Sequence, residues 1–221
     1  MATLTPPRYC CAHVDVATVS AVEAQAHSIE GIWLFTPVLR PDDRGVFLES
    51  FKDSVFTEAV GHRFDLKQMN ISVSKQGTVR GIHFADVPPG QAKYVQCFAG
   101  RILDIVVDIR VGSPTFGQWE AVELDSETRQ GLYIAEGLGH AFCALSESVT
   151  VGYLCSEPYA PTREHGIHPL DADLALPWPD GADSVISPKD AAAPSLTEAV
   201  ETGLLPDWQT CQEFYANLRI P

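Results

Sequence analysis

Long apolar runs and C-x-x-C cysteine pairs are both missing from this sequence of 221 residues. No stretch approaches the ~18 apolar residues that a membrane-spanning helix needs. Asp15 and Glu23 also interrupt the N-terminal region, so we expect neither a membrane span nor a secretory signal. The six cysteines include no C-x-x-C pair, which argues against a zinc site and against a disulfide framework. Free buried thiols and a cytoplasmic location are therefore predicted.

Basic charge is also scarce. The sequence has 15 Lys and Arg residues against 29 Asp and Glu, which gives a formal net charge of −14. A field of that sign repels nucleic acid and anionic membrane surfaces, so neither is expected as a partner. A phosphorylated small molecule would need a local basic pocket, and Arg44, Arg80 and Lys93 are the candidates to supply it.

Short apolar runs separated by glycine and proline make up the middle of the sequence. Residues 102–109 alternate in a period of two, which predicts a strand with one strongly apolar face. Similar runs recur between residues 46 and 154, with turn residues between them. Many short strands with regular turn signals predict a mostly β fold, an antiparallel sandwich or barrel. The length allows one sizeable core.

The ends of the chain differ from this middle part. Residues 1–27 are rich in Ala, Val and Thr without an amphipathic period, which indicates an extension outside the main fold. We expect the barrel to cover residues 28–190 and a helical tail, residues 191–221, to pack on it. Short helices are predicted at 54–60, 195–199 and 208–218, the second because Ser195 and Glu198 have capping-box spacing.

Closely spaced histidines are another absence. A β-barrel that carries histidines raises the question of a metal site, and that chemistry usually requires an H-x-H pair with further ligands. Here His83 is followed by Phe84, Ala85 and Asp86, and His140 is the only other histidine on a predicted core strand. We therefore expect no catalytic metal.

The segment Arg80-Gly81-Ile82-His83, with Lys93 ten residues later, is the most informative motif that is present. The arginine fork binds phosphate or carboxylate, and histidine accepts a proton near neutral pH. A nearby lysine can stabilise an oxyanion. Together they indicate proton abstraction beside a carbonyl group on an anionic substrate, with a surface salt-bridge cluster as the alternative.

Inversion of a carbon beside a ketone also requires an acid on the face opposite the base. Tyr153, on a predicted strand, is the candidate acid, and an ordinary core tyrosine is the alternative. Asp171 is the candidate carboxylate to orient the His83 ring, as in other His–Asp pairs. The alternative for Asp171 is a turn aspartate that caps a loop.

Several short segments, in this order over residues 28–180, resemble the dTDP-4-dehydrorhamnose 3,5-epimerase family. They are Asp43–Glu49, Gln68–Ser74, Arg80–His83, Gln91–Lys93, Asp108–Arg110, Ser113–Gly117, Gly139–Phe142, Tyr159–Pro161 and Trp178–Pro179. The resemblance implies a cupin-type antiparallel β-barrel (jelly roll) that forms a homodimer and acts on a dTDP-4-keto-6-deoxyhexose without a cofactor.

The resemblance also implies roles for individual residues. His83 matches the family's catalytic base, Asp171 its dyad partner, Tyr153 its general acid and Lys93 the lysine beside the sugar keto oxygen. His140 is expected to line the same pocket. The residues matching positions that hold the nucleotide and its diphosphate are Arg44, Glu49, Gln68, Asn70 and Arg80, and Phe47 matches an aromatic residue near the base. Segment 43–49 is expected to reach into the neighbouring subunit's site.

The sequence departs from the common family pattern in two motifs. Ala85 replaces a glutamine two residues after the motif histidine, and Pro169-Leu170-Asp171-Ala172 replaces Trp-Asn-Asp-Pro. Other segments look more like relatives from antibiotic deoxysugar pathways, some of which epimerise only C3 or only C5. We therefore expect epimerisation at C3, with C5 left open. A dTDP-sugar ketoisomerase and a non-catalytic nucleotide-sugar binding protein are the alternatives.

Overall fold

The computed structural model describes residues 21–180 and 185–219, and it is built mainly of two antiparallel sheets. The first sheet has the strand order β1 (Glu23–Ala26), β2 (Ile32–Thr36), β10 (Gly131–Ile134), β7 (Lys93–Ala99), β12 (Ser148–Cys155) and β5 (Gln68–Lys75). The second has the order β13 (Glu164–Gly166), β6 (Thr78–Ala85), β11 (Gly139–Ala144), β8 (Arg101–Val107) and β9 (Trp119–Asp125), with β14 (Val185–Ile186) parallel to β6. A separate hairpin pairs β3 (Arg40–Asp42) with β4 (Gly45–Phe47).

Successive strands alternate between the two sheets over much of the chain. β5, β7, β10 and β12 lie in the first sheet, and β6, β8, β11 and β13 lie in the second. Side chains of both sheets pack into one buried interior, for example Val95 and Val151 from the first against Ile102 and Phe142 from the second. The predicted cupin-type jelly roll is confirmed. As a consequence, residues close in sequence lie on opposite walls of the barrel.

The β8 strand differs from its prediction because both of its faces are buried. Ile102 and Val106 point into the barrel interior, whereas Ile105 packs on the outside with Leu196. The outer face is covered by the chain segments that follow the barrel, so the strand has no solvent side. Asp104 lies on the inner face and is fully buried, although an aspartate in an alternating pattern usually marks the solvent face.

Four helices lie in the described part of the chain: α1 (Asp53–Val60), α2 (Pro188–Ala191), α3 (Leu196–Glu201) and α4 (Trp208–Leu218). The predictions for α1, α3 and α4 are confirmed. α1 ends at Gly61, whose φ of 91° is the left-handed conformation that glycine adopts readily. α3 begins with the predicted capping box between Ser195 and Glu198. α2 was not predicted.

The expected boundary of the N-terminal extension is too late. Glu23–Ala26 form β1, which pairs with β2 along its whole length at the edge of the first sheet. These residues had no visible amphipathic period because an edge strand buries little of either face. The remainder of the expected extension, residues 1–20, lies outside the described residues.

A buried ion pair fastens α4 to the barrel. The Arg110 guanidinium donates two hydrogen bonds of 2.8 Å to the Asp108 carboxylate and one of 3.2 Å to the Tyr215 hydroxyl. It also lies 4.5 Å from the ring centroid of Trp208. Burial raises the pKa of Asp108, but the hydrogen bonds and charge of Arg110 outweigh it and hold that pKa below its usual range. The pair therefore stays ionised, and its charges are satisfied within the core.

Candidate active site

A cavity of about 450 Å³ opens between the two sheets. Its walls come from β5, β7 and β12 of the first sheet and from β6, β13, β14 and α2 on the other side. Six of the predicted site residues line it: Gln68, Asn70, Arg80, His83, Lys93 and Tyr153. The alternation of strands between the two sheets thus brings residues from separate sequence motifs together around one cavity.

His83 is paired with a carboxylate, but that carboxylate belongs to Asp190. The His83 Nε2 atom lies 2.7 Å from Asp190 Oδ1. Burial raises the pKa of Asp190, yet the hydrogen bond and charge of His83 outweigh it, and the pKa lies below its usual range. An ionised carboxylate on one ring nitrogen orients the imidazole and leaves the second ring nitrogen to accept a proton.

Asp190 reaches His83 because α2 begins directly beside β6. Ser187 caps the helix, its hydroxyl accepting a 3.0 Å hydrogen bond from the Asp190 N–H, and Pro188 occupies the first helical turn. β14, just before the cap, pairs with the start of β6. The sequence Ser187-Pro188-Lys189-Asp190 is a typical helix start. It is the sequence signal from which a carboxylate at this position could have been predicted.

The expected contact between Asp171 and His83 is wrong. Asp171 Oδ1 accepts hydrogen bonds from the backbone N–H groups of Asp173 and Leu174, at 2.9 and 3.0 Å. Its Oδ2 accepts one of 2.8 Å from the N–H of Leu196 at the start of α3. Both oxygens are engaged by backbone donors, so Asp171 caps a turn and a helix, which was the alternative reading.

Lys93 and Tyr153 stand on neighbouring strands of the first sheet. Lys93 begins β7 opposite Cys155 of β12, and Tyr153 faces Asn70 across the pair of β12 and β5. Burial lowers the pKa of Lys93 and raises that of Tyr153. The Tyr153 hydroxyl therefore keeps its proton at neutral pH and can donate it to a carbanion.

Polar side chains continue along the cavity from β5. Gln68 donates a hydrogen bond of 2.8 Å from its amide to Asn70 and accepts one of 3.0 Å from the N–H of Tyr159. The Arg80 Nε atom donates to Ser74 Oγ at 3.0 Å. These bonds hold the amides of Gln68 and Asn70 on β5 and the guanidinium of Arg80 on β6, so the three groups are oriented before any ligand enters.

His140 does not line the cavity. It is buried on β11, in register with His83, and its Nε2 lies 3.0 and 2.9 Å from the two oxygens of Asp104. Burial raises the pKa of Asp104 despite the opposing effect of His140. The pair lies within the barrel interior, so His140 is a buried neighbour of the site and not a wall residue.

The predicted residues of segment 43–49 lie away from the cavity of their own chain. Arg44 is exposed on the β3–β4 hairpin and donates to Asp42 within that hairpin, with an Nε to oxygen distance of 3.1 Å. Phe47 is 65% exposed, and Glu49 pairs with Lys52. None of these three is among the residues that line the cavity.

Several cavity residues were not predicted from the sequence. They are Thr78, Gln91, Tyr159, Glu164, His165, Ser187 and Lys189, besides Asp190. Three basic side chains of the lining, Arg80, Lys93 and Lys189, outnumber its two acidic ones, Glu164 and Asp190, in a chain of net charge −14. A phosphorylated ligand can therefore be held here against the overall field.

Two further features of the described residues concern other classes of site. Within residues 21–180 and 185–219, no group of three or more His, Cys, Asp or Glu side chains is arranged to hold a metal ion. No helix in the same ranges is long and apolar enough to cross a membrane. The four cysteines among them, Cys97, Cys143, Cys155 and Cys211, are free and buried.

Comparisons with known proteins identify the family. Residues 26–198 match the family model described as dTDP-4-dehydrorhamnose 3,5-epimerase. A protein of that name from Mycolicibacterium smegmatis is 57% identical over 196 residues, covering 89% of this chain and 96% of the relative. A dTDP-4-dehydrorhamnose 3-epimerase from Streptomyces niveus is 54% identical over 184 residues, covering 83% and 88%.

A solved structure of a related epimerase supports the same family. The 3'-monoepimerase ChmJ from Streptomyces bikiniensis, in complex with dTDP-quinovose, has a TM-score of 0.86 at 47% identity, covering 88% of this chain and 98% of its own. The matched range includes all the strands of both sheets except β1, which it enters only at Ala26, and it also includes the His83–Asp190 pair. The chain belongs to the dTDP-4-dehydrorhamnose 3,5-epimerase family.

Proposed function

We propose that this protein epimerises a dTDP-4-keto-6-deoxyhexose at C3, with C5 as a second position to be decided by assay. The observation that carries the proposal is the position of His83 and Tyr153 on strands of opposite sheets, β6 and β12, lining one cavity. An epimerase must remove a proton from one face of a carbon and return one to the other. A base and an acid on opposite walls meet that requirement.

In the proposed mechanism, His83 removes the proton beside the keto group and its imidazolium is stabilised by Asp190. Lys93 stabilises the enolate oxygen as charge develops on it. Tyr153 then delivers its proton to the opposite face of the same carbon. Proton removal and return leave the oxidation state of the sugar unchanged, so this sequence of steps requires no redox cofactor.

We assign the nucleotide and diphosphate to the part of the cavity lined by Gln68, Asn70, Arg80 and Lys189. Arg80 and Lys189 are the cations that would bind the diphosphate oxygens. Gln68 and Asn70 offer amide donors and acceptors on the inner face of β5, which suits a nucleobase. A relative in this family, ChmJ, is solved in complex with the nucleotide sugar dTDP-quinovose.

We further propose that two chains form a homodimer, in which segment 43–49 reaches the partner's cavity. The support is an apolar row on the outer face of the edge strand β5, where Met69, Ile71 and Val73 are 52–65% exposed. The hairpin carries Phe47 and Arg44, both exposed and away from their own cavity. A partner packed on this row would bring its hairpin near Gln68 and Asn70. A cytoplasmic location stays a prediction.

The test is an NMR time course in D₂O with dTDP-4-keto-6-deoxyglucose and the purified protein. Deuterium with inversion at C3 alone would identify a 3-epimerase, and inversion at C3 and C5 a 3,5-epimerase. His83→Asn should abolish exchange without unfolding the protein, whereas His62→Asn, outside the cavity, should leave it unchanged. A carbonyl at another carbon would indicate a ketoisomerase, and binding without any exchange would refute the proposal.

A further inference from the structure

A buried glutamate stands behind the cavity and contacts the segment that carries Lys93. Glu136 follows β10 and is 3% exposed. Its Oε1 accepts a hydrogen bond of 3.1 Å from the Ser156 hydroxyl. That hydroxyl accepts one of 2.8 Å from the Ala92 N–H, and the Ser156 N–H donates to the Ala92 carbonyl at 3.1 Å. One bridging residue thus separates Glu136 from the backbone directly before Lys93.

Glu136 also contacts the C-terminal helix and the turn before β7. Its carbonyl accepts a hydrogen bond from the Tyr215 hydroxyl of α4. A Cβ atom added to Gly90 would lie 2.5 Å from the Cβ of Glu136, so the side chain packs directly against the turn before β7. Glu136 therefore joins three segments: the turn before Lys93, the end of β12 and the C-terminal helix.

The second oxygen of this carboxyl group is unsatisfied. Glu136 Oε2 is buried and has no hydrogen-bond partner among the described residues. A buried carboxylate with one unsatisfied oxygen is costly when ionised. Burial accordingly raises the pKa of Glu136 to about 7, against the smaller opposing effects of its own backbone N–H, Ser156, Ala92 and Lys93.

Other titratable groups surround the two residues. Tyr133 of β10, together with Cys211 and Tyr215 of α4, faces Glu136, and burial raises the pKa of each, so all three are neutral near pH 7. Facing Lys93 are Cys155 of β12, Glu164 of β13 and Asp104 of β8. The Cys155 thiol is also held neutral by burial, and Asp104 is shared with His140.

We infer that Glu136 is a positioning residue for the proposed epimerase reaction, holding the Lys93 backbone through Ser156 and stabilising the lysine ammonium group when its own carboxyl group is ionised. This inference rests on the proposed function for its catalytic meaning. The link between the two side chains is independent of it, because it concerns the protonation of Lys93 in the free protein.

The first experiment follows Lys93 directly. The sequence has five lysines, so protein labelled with ¹³C-lysine gives few side-chain signals, and Lys93→Arg identifies the one from Lys93. The Glu136→Gln variant keeps the size and an acceptor for Ser156 but removes the charge. We expect its Lys93 signal to titrate at lower pH than in the wild type. Glu136→Asp, which keeps the charge, should titrate closer to the wild type than Glu136→Gln.

The second experiment measures turnover against pH. Below about pH 6 the carboxyl group is neutral in both proteins, so Glu136→Gln should match the wild type. At about pH 8.5 the carboxyl group is ionised in the wild type alone, so the turnover of Glu136→Gln should fall below that of the wild type, by at most about tenfold for each pH unit that the Lys93 titration moves. Glu127→Gln, the same change at an exposed residue, serves as the control.

The outcomes are distinguishable. An unchanged Lys93 titration in Glu136→Gln overturns the inference whether or not the protein is an epimerase. A uniform loss of turnover at every pH, with the Lys93 signal unmoved, would show a structural role alone and also overturns it. A wild-type protein without epimerase activity refutes the proposed function, and the NMR titration still decides the link between Glu136 and Lys93.

Discussion

Removing the charge of Glu136 should change how the stability of this protein depends on pH. Burial raises the pKa of this carboxyl group to about 7 from an ordinary value of 4.5. The folded protein therefore binds the Glu136 proton more tightly than the unfolded chain does. The stabilisation from this proton is fully present below the unfolded pKa and is lost as the pH rises through the folded pKa.

The size of the effect follows from the two pKa values. At about 1.4 kcal/mol per pKa unit, the raised value corresponds to about 3 kcal/mol of unfolding free energy. Roughly 2 to 3 kcal/mol of it should be lost between about pH 5 and about pH 8.5. Glu136→Gln stays uncharged over this range. Its stability relative to the wild type should therefore rise by that amount, and any fixed penalty for the buried amide cancels from the comparison.

The assay is urea unfolding, followed by tryptophan fluorescence at several pH values between those limits. Groups other than Glu136 titrate in both proteins, so only the difference between the two curves matters. Glu127→Gln provides the matched control, because the same atoms change at an exposed position, and its curve should run parallel to the wild type. If the curve of Glu136→Gln also runs parallel, the carboxyl group does not titrate in this range and the reasoning is refuted.

Four further variants test other parts of the structure. Asp190→Asn should lower turnover by about 10²- to 10⁴-fold in a folded protein, by analogy with other His–Asp pairs. Asp171→Asn should instead lower the unfolding free energy by about 1–3 kcal/mol, since it leaves a backbone N–H poorly paired, and comparable turnover losses in both would contradict the new assignment. Ile71→Asp should yield monomers in analytical ultracentrifugation, and an unchanged mass would remove the β5 face from the proposed interface. Asp108→Asn leaves the buried charge of Arg110 uncompensated and should lower the unfolding free energy by about 3–5 kcal/mol in thermal or urea unfolding. A loss below about 1 kcal/mol, as expected for an exposed ion pair, would contradict this prediction.

Local signals carried the prediction where a residue's role depends on its own segment. The strands that hold His83, Lys93 and Tyr153 have short apolar runs bounded by glycine and proline, and the capping box of α3 is a contiguous pattern. Because β6, β7 and β12 were recognisable as strands, a barrel that brings these three side chains together followed from the family resemblance. The hairpin that carries Arg44 lies away from the cavity of its own chain, and its expected place in a partner's site stays a prediction.

The partner of His83 could not be predicted in the same way. Asp190 and Asp171 both follow the barrel strands, and both are buried. Which of them reaches β6 depends on the path of the chain through β14 and α2, a tertiary property. Asp104 illustrates a different limit: in sequence its charge marks a solvent face, whereas in the structure it is buried and hydrogen-bonded to His140 on a neighbouring strand.

The His83–Asp190 contact joins residues 107 positions apart, and this has a consequence for how an active molecule is made. During synthesis, every strand from β1 to β13 leaves the ribosome before α2 does. An incomplete chain can therefore pair its strands and form most of the cavity wall while its histidine still has no carboxylate. Such a chain would be able to hold a nucleotide sugar without turning it over. Catalytic competence would be among the last properties that the growing protein acquires. Loss of turnover would be an early sign that the segment carrying α2 has detached from the barrel.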